Sequence, residues 1–408
     1  MVGPDSDRLW RRLMALGKIS APGDGVTRTS FSRWFQEGRA WLTQQFESAG
    51  LEVRVDHAGN LHGRLRGRRE GTVLVGGHSD TVPNGGRFDG ALGVLSALEI
   101  VETLRATGVT PEYSLEVIDF LAEEPSAFGL SCIGSRGFAG TLTPTDLSRQ
   151  NPDGVTLADA LRRVGGNPDQ LGPVDPKRPL VGYLELHIEQ GPILEQQPGA
   201  LGVVTDIAGI VRYRFRVNGK ASHAGTTPMR DRRDALVAAG RLASRLYETV
   251  VEVPSLVATV GQLKVTPNAV NVVPGQAEGV AEFRSADSEI LYNRSQAIMA
   301  GLLSPDVSLG CQYDFEEYMR TKPVPMSDRL QLELQRAITA TGSQALHLFS
   351  GAGHDAVELA SRTEVGMMFS PCKEGLSHCP EEWVEPSDIS RALAAYDRAV
   401  RALVGISR

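Results

Sequence analysis

The sequence predicts an α/β protein: a doubly wound domain on an open sheet, interrupted by an inserted α+β segment. Three observations carry this. Between residues 72 and 124 an apolar strand, a glycine-rich loop, a helix-period stretch and a second apolar strand follow in order. After about residue 210 the order becomes strand, helix, strand, strand, helix, strand, the split βαβ arrangement. The α/β alternation resumes at about residue 329 and runs to the end. A chain of 408 residues exceeds one core of ordinary size. Residues 1–210 and 327–408 are therefore read as one discontinuous domain and 211–326 as a second.

The elements justify themselves in turn. Residues 30–50 carry Phe31, Trp34, Phe35, Trp41, Leu42 and Phe46 at helical spacing. "LEVRVDHAGNLHGRLRG" alternates as a hairpin with Gly59 and Asn60 at its turn. "GTVLVGGH" is a short apolar strand ending at His78. Residues 90–108 predict an amphipathic helix closed by Gly108. "YSLEVIDFLAEE" is a buried strand running into Glu123 and Glu124, and "LELHIEQ" repeats the arrangement with His187. In the insert, "VRYRFRVNGKASHAG" is a strand, 232–252 a helix, "LVATVGQLKVTP" and "GQAEGVAEFRSAD" two strands, 288–303 a helix and "VSLGCQYDFEEY" a final strand. Residues 329–341 return to helix.

Composition excludes several classes. A formal charge of -7 with no standing basic run argues against nucleic acid as a partner. The run "RLRGRRE" reads as a solvated hairpin face. No window has the ~18 consecutive apolar residues of a membrane span, and the first twenty residues lack the apolar stretch of a signal peptide. Four cysteines are too few for a disulfide framework, so a cytoplasmic protein with reduced thiols is expected.

Chemistry concentrates at the predicted strand ends, where open α/β sheets bind ligands. Four of the eight histidines, His78, His187, His354 and His378, sit there among glycines and acids. His, Asp and Glu together suit zinc, manganese, cobalt or nickel. "GGHSDTVPNGGRFDGALG" holds His78, Asp80 and Asp89 among six glycines. Asp80, two residues beyond His78, is placed to accept the second N–H of a metal-bound imidazole; a turn-capping role is the plainer alternative. Pro83, Gly85 and Gly86 bend the chain so that Asp89 returns toward His78, and a carboxylate can bridge two ions. In "AEE", adjacent side chains of an extended segment point opposite ways. One glutamate can then bind metal while the other faces substrate as a base.

Seven ordered stretches carry a resemblance: "GGHSDTVPNGGRFDGALGVL", "AEEPSAFG", "LHIEQGPILE", "ASHAGTTPMRDRRDA", "PNAVNVVPG", "SGAGHDA" and "GLSHCPEEWV". Together they resemble the amidase/hydantoinase-carbamoylase family, which groups N-carbamoyl-L-amino-acid hydrolases, allantoate amidohydrolases and β-ureidopropionases. The family lies within a superfamily of dinuclear metallopeptidases. The resemblance spans nearly the whole chain. It implies an open mixed-sheet catalytic domain of the zinc-peptidase type with an inserted ferredoxin-like lid and dimerisation domain.

By that resemblance His78, Asp89 and His187 hold one divalent ion, and Asp89, Glu124 and His378 the other, with Asp89 as the bridge. Glu123 is the general acid/base and Asp80 supports catalysis. His223 stabilises the oxyanion, reaching the active site of a partner subunit. Arg284 grips a substrate carboxylate, Asn271 accompanies it, and Gln190 and Gly351 are further substrate contacts. His354 and Asp355 are close to the site without being ligands. Many relatives have glycine and then arginine after the double glutamate, where this chain has Pro125 and Ala127. Cys372 and Cys379 flank His378 and read as buried thiols rather than ligands.

The expected activity is cleavage of the ureido C–N bond of an N-carbamoyl-L-amino acid by a homodimer with two divalent ions (Zn, Mn, Co or Ni) per subunit. Allantoate amidohydrolase and β-ureidopropionase are the alternatives. A dipeptidase or N-acyl deacylase, or a non-catalytic homologue, stands further off. The substrate is a small ureido-carboxylate, with no nucleic acid or membrane partner.

Overall fold

The computed structural model describes residues 3–170 and 172–406. These divide into two compact units. The first comprises residues 1–205, 326–348 and 353–408, and the second 206–325 with 349–352. Residues 206–210 and 349–352, assigned by sequence to the larger domain, thus group with the insert.

The first unit is built on an open mixed sheet. Its strands lie in the order Glu52–Val55, Leu61–Leu65, Ser114–Phe120, Thr72–His78, Leu180–Ile188, Val365–Ser370 and Ala200–Ile207. The first two form the antiparallel hairpin expected around Gly59 and Asn60. Thr72–His78 pairs in parallel with Ser114–Phe120 on one side and Leu180–Ile188 on the other, and Val365–Ser370 adds in parallel to the latter. Four neighbouring strands therefore end at one edge. The chain crosses from one side of Thr72–His78 to the other there, which makes it a topological switch point. All seven residues of Thr72–His78 and of Ser114–Phe120 are buried, as strands covered on both faces must be.

The helix Ala91–Ala106 departs from the amphipathic expectation. It is buried on nearly every side, from Ala91 through Val101 and again at Thr103 and Leu104. The sheet covers one side and the helix Ser6–Gly17 covers another. A helix so enclosed has no use for a polar stripe. Its one deep charge, Glu99, is fully buried and takes Arg8 Nε at 2.7 Å and Arg12 Nη1 at 3.5 Å. Val73, Val75, Val117, Leu184 and Leu186 join Leu95, Leu98, Leu393 and Tyr396 in one apolar core. Burying each such aliphatic side chain stabilises by roughly 1.5–3 kcal/mol.

The second unit is a four-stranded antiparallel sheet in the order Gln312–Arg320, Gly209–Asn218, Gln276–Ser285, Val257–Thr266. Inward residues alternate along its central strand, at Val211, Tyr213, Phe215 and Val217. The helix Ala235–Val251 covers them with Ala238, Ala239, Leu242 and Leu246. Two local expectations shift. The stretch 288–303 opens with a π-turn at Ile290–Arg294 before the α-helix Ser295–Gly301. Val307 and Ser308, read as the start of a strand, fall instead in the helical turn Pro305–Ser308, which has proline in its first position. No helix among the described residues is long and apolar enough to cross a membrane.

Candidate metal centre

Strand ends deliver the first donors. His78 is the last residue of Thr72–His78, and His187 the penultimate residue of Leu180–Ile188. Both imidazoles are buried. Each commits Nδ1 to a main-chain carbonyl, His78 to Asp80 O at 3.0 Å and His187 to Ile188 O at 2.8 Å. A carbonyl only accepts, so Nδ1 carries the proton and Nε2 is left to bind something else.

Both Nε2 atoms meet the same oxygen. Asp89 Oδ1 lies 3.4 Å from His78 and 3.0 Å from His187. Its other oxygen, Oδ2, lies 3.1 Å from His378 Nε2, which is also 3.2 Å from Glu124 Oε1. The loop reaches this position through Gly90, which has φ +63° and sits against the His78 ring, where a Cβ would collide with the imidazole. The bend through Pro83, Gly85 and Gly86 thus returns Asp89 to His78.

The electrostatics call for positive charge between these atoms. Burial disfavours the His78 cation, yet Glu123, Asp89 and Asp80 outweigh it and raise its pKa well above the ordinary value. His187 is likewise raised, by Asp89 and Glu185 against burial. Hydrogen bonds to Asp89 and Glu124 hold His378 up at about 10. Burial pushes Asp89 up, but the three histidines bring it well below the carboxylate range. A neutral imidazole would aim its Nε2 lone pair at a carboxylate oxygen, so a cation must stand between them. Divalent ions fit these donors. Two groups of three, His78–Asp89–His187 and Asp89–Glu124–His378, have ligand atoms within 4.8 Å of one another and share Asp89. A third group, Glu185–His187–His354, lies deeper and fully buried, with the His354 ring 4.6 Å from that of His187.

The paired glutamates are placed by a loop rather than a strand. The strand stops at Phe120, and Ala122 has φ +53°. Strand alternation therefore does not separate Glu123 from Glu124. The first amides around the helix Ile133–Ala139 hold this loop: Cys132 N, Ile133 N and Gly134 N donate to the carbonyls of Glu123, Ala122 and Leu121 at 2.9, 3.0 and 2.7 Å. From the other side, Asp80 accepts the N–H of Glu123 on Oδ1 and that of Glu124 on Oδ2, both at 3.3 Å. The role read for Asp80 is corrected accordingly. Its main-chain carbonyl takes the His78 Nδ1–H, while its carboxylate, 3.6 Å from that nitrogen, serves the two glutamate amides. Burial raises the Asp80 pKa to about 7. Burial also lifts Glu123 well above the carboxylate range, with Asp355 and Glu124 adding to it against His78. Glu123 Oε2 stands 3.6 Å from His78 Nε2.

The other predicted residues fall into two sets. Gln190, in the first unit, donates from Nε2 to Asp89 Oδ2 at 2.9 Å, so it lies on the shared carboxylate itself. His223, Asn271, Arg284 and Gly351 belong to the second unit. His223 and Asn271 are neighbours across the short ladder Ser222–His223/Val272–Val273, where Ala224 N donates to Asn271 O at 2.9 Å. His223 Nδ1 accepts from Gly225 N at 3.0 Å, which leaves Nε2–H as an exposed donor. Arg284 is braced by Glu282 Oε1 at 2.7 Å and Gly351 O at 2.7 Å. Sequence reasoning did not single out Ser377 or Glu382, which contact the Asp89 loop; a second acidic pair in "PEEWV" carries no signal of burial.

An open mixed sheet with His78 and His187 at its parallel strand ends, met by Asp89, Glu124 and His378 from loops, defines a class: α/β enzymes of the metallopeptidase type. This chain belongs to the family described as Peptidase family M20/M25/M40, which matches residues 74–402, and within it to the hydantoinase/carbamoylase amidases. It is 38% identical over 387 residues to an N-carbamoyl-L-amino acid amidohydrolase of Geobacillus stearothermophilus, covering 94% of each chain. It is 33% identical to an allantoate amidohydrolase of Bacillus subtilis, covering 93% of each. A crystal structure of an amidase of the hydantoinase/carbamoylase family from Burkholderia multivorans superposes with a TM-score of 0.91 at 35% identity, covering 99% of this chain and 98% of that one.

Proposed function

We propose that this hydrolase cleaves the ureido C–N bond of N-carbamoyl-L-amino acids, using two divalent ions per subunit, zinc, manganese, cobalt or nickel. The observation that carries the reading is Asp89, which offers one oxygen to His78 and His187 and the other to His378 beside Glu124. Similarity of 38% to a named N-carbamoyl-L-amino acid amidohydrolase favours that substrate over allantoate, whose named amidohydrolase stands at 33%. Allantoate is the second reading, since it too joins a ureido group to a carboxylate.

In this mechanism His78, Asp89 and His187 would hold one ion and Asp89, Glu124 and His378 the other. Divalent cations, when bound, supply Lewis acidity that polarises a carbonyl and brings the pKa of water to about 7. Glu123 takes a proton from the attacking water and returns it to the amino-acid nitrogen as the C–N bond breaks. The carbamic acid released falls apart to carbon dioxide and ammonia, so one water is consumed overall. His223, reaching into the active site of a partner subunit as the family resemblance implies, donates Nε2–H to the oxygen on which charge develops, a contact worth roughly 3–4 kcal/mol of barrier. Arg284, steadied by Glu282 and Gly351, pairs with the substrate carboxylate through two parallel hydrogen bonds. Asn271 and Gln190 complete the substrate contacts.

The second unit is read as the lid and the dimerisation surface. Its edge strand Val257–Thr266 exposes Val257 and Leu263, and its helix exposes Tyr247 and Val251. Placement in the cytoplasm fits four free cysteines.

Ammonia release decides the matter. The metal-stripped protein is reconstituted with each of the four ions and offered N-carbamoyl-L-amino acids, allantoate, β-ureidopropionate and dipeptides. Turnover of the first group, abolished by chelation and restored by metal, is expected. Turnover confined to dipeptides, or undiminished in the stripped protein, refutes the proposal.

A further inference from the structure

We propose that Glu382 is a positioning residue that locks the Asp89 loop to the His378 loop and thereby sets how tightly the Asp89–Glu124–His378 site holds its ion. The inference rests on the two-ion reading above.

Glu382 is 1% exposed, yet its acceptor capacity is well used. Oε1 accepts the main-chain N–H of Phe88 at 2.8 Å and that of Asp89 at 3.2 Å. Oε2 accepts from Ser377 Oγ at 2.9 Å, and the same hydroxyl lies 2.8 Å from Asp89 Oδ2. A serine has one hydroxyl proton, so the two carboxylates share it. One buried side chain thus fastens the backbone of the bridging residue and, through the residue preceding His378, its outer oxygen. Gly86 belongs to the same device: a Cβ there would occupy the space of the Glu382 carboxyl group.

The geometry also says which ion should respond. Asp89 Oδ1 faces His78 and His187, both on strands of the sheet, which hold their places by ladder hydrogen bonds. Asp89 Oδ2 faces His378, which sits in a loop with φ +58° and a half-exposed side chain. Without Glu382, Phe88 and Asp89 keep buried N–H groups with no acceptor, Ser377 is left with Asp89 Oδ2 alone, and the main chain of Asp89 is no longer fastened to the loop carrying His378. Loss should fall on the second site first.

The test is titration of Mn²⁺ into the metal-stripped full chain by calorimetry, with circular dichroism as a control on folding. The wild type should bind two ions. Glu382→Ala should keep one site and weaken the other about 10- to 100-fold, the range for residues that support metal ligands. Glu382→Gln retains an amide oxygen for both N–H groups, and Ser377 can turn to accept its NH2, so affinity should return to within about threefold of wild type. Should Glu382→Ala fail to fold, Ser377→Ala, which cuts only the hydroxyl tie, should weaken the same site about tenfold. Wild-type affinity at both sites in folded Glu382→Ala, or in Ser377→Ala, overturns the inference alone. So does equal weakening of both sites. A wild type that takes up no divalent ion overturns the two-ion reading and this inference with it.

Discussion

Asp80 binds the main chain of Glu123: its Oδ1 accepts that residue's N–H at 3.3 Å, while Oδ2 does the same for the next amide. The residue that follows His78 by two positions therefore fixes where the main chain carries Glu123 and Glu124. Asp80→Asn replaces one of these acceptors with an NH2 aimed at an N–H. We expect kcat to fall about 10- to 100-fold with bound metal retained. Steady-state kinetics beside elemental analysis checks this, and an unchanged kcat removes Asp80 from the catalytic set.

Glu123→Gln keeps the shape of the side chain and removes its ability to carry a proton. The proton transfer proposed for it is worth about 10²–10⁴ in rate. kcat should drop by that order while metal stoichiometry stays at the wild-type value. Loss of metal in parallel would instead make Glu123 a ligand.

Arg284→Lys preserves charge but not the two parallel hydrogen bonds, and it forfeits the brace to Gly351 O. Hydrogen bonds to charged groups contribute about 1.5–3 kcal/mol, so KM for an N-carbamoyl amino acid should rise about 10- to 100-fold with kcat less affected. A carboxylate-free ureido substrate should not distinguish the variant from wild type. If it does, Arg284 acts on something other than that carboxylate.

A pH effect on stability should come from His62 on the strand Leu61–Leu65. His62 is fully buried, with Nδ1 2.6 Å from Glu116 Oε1 and Nε2 2.8 Å from Asp56 Oδ2. Burial opposes its charge, but the two carboxylates raise its pKa above the ordinary value of 6.5. Burial would raise Glu116, yet His62, Arg178 and Arg54 hold it at about 2, and Asp56 is lowered likewise. The raised histidine contributes fully below 6.5, and its contribution is lost as pH climbs through its folded pKa. The depressed acids contribute above their unfolded values, and their share is lost as pH falls from about 4.5 toward 2. At pH 6 His62→Gln should cost about 3 kcal/mol, the order for breaking a buried pair. Urea unfolding in chelator should show the gap to wild type closing as pH rises above 6.5. A gap that stays constant means His62 is not charged in the fold.

The sheet and the first two donors were legible because apolar strands end where polar chemistry begins. His78 and His187 needed no more than that. The glutamates were legible as a pair but not in their separation, since a left-handed Ala122 and the Asp80 hooks place them rather than strand alternation. The return of Asp89 could be read from glycines; the collision that forbids a side chain at residue 90 could not. Glu382 was invisible because an exposed acidic pair and a buried one are spelled alike. The burial of Ala91–Ala106 was missed because it depends on a helix some eighty residues earlier covering its far side.

That covering helix matters at the bench. Ser6–Gly17 supplies the guanidinium groups that neutralise Glu99 inside the helix that begins two residues beyond Asp89. Trimming the amino terminus for expression, or fusing a rigid tag into it, would strand an anion in the hydrocarbon interior, on the helix that follows the Asp89 loop. Affinity handles are better attached at the other end of the polypeptide.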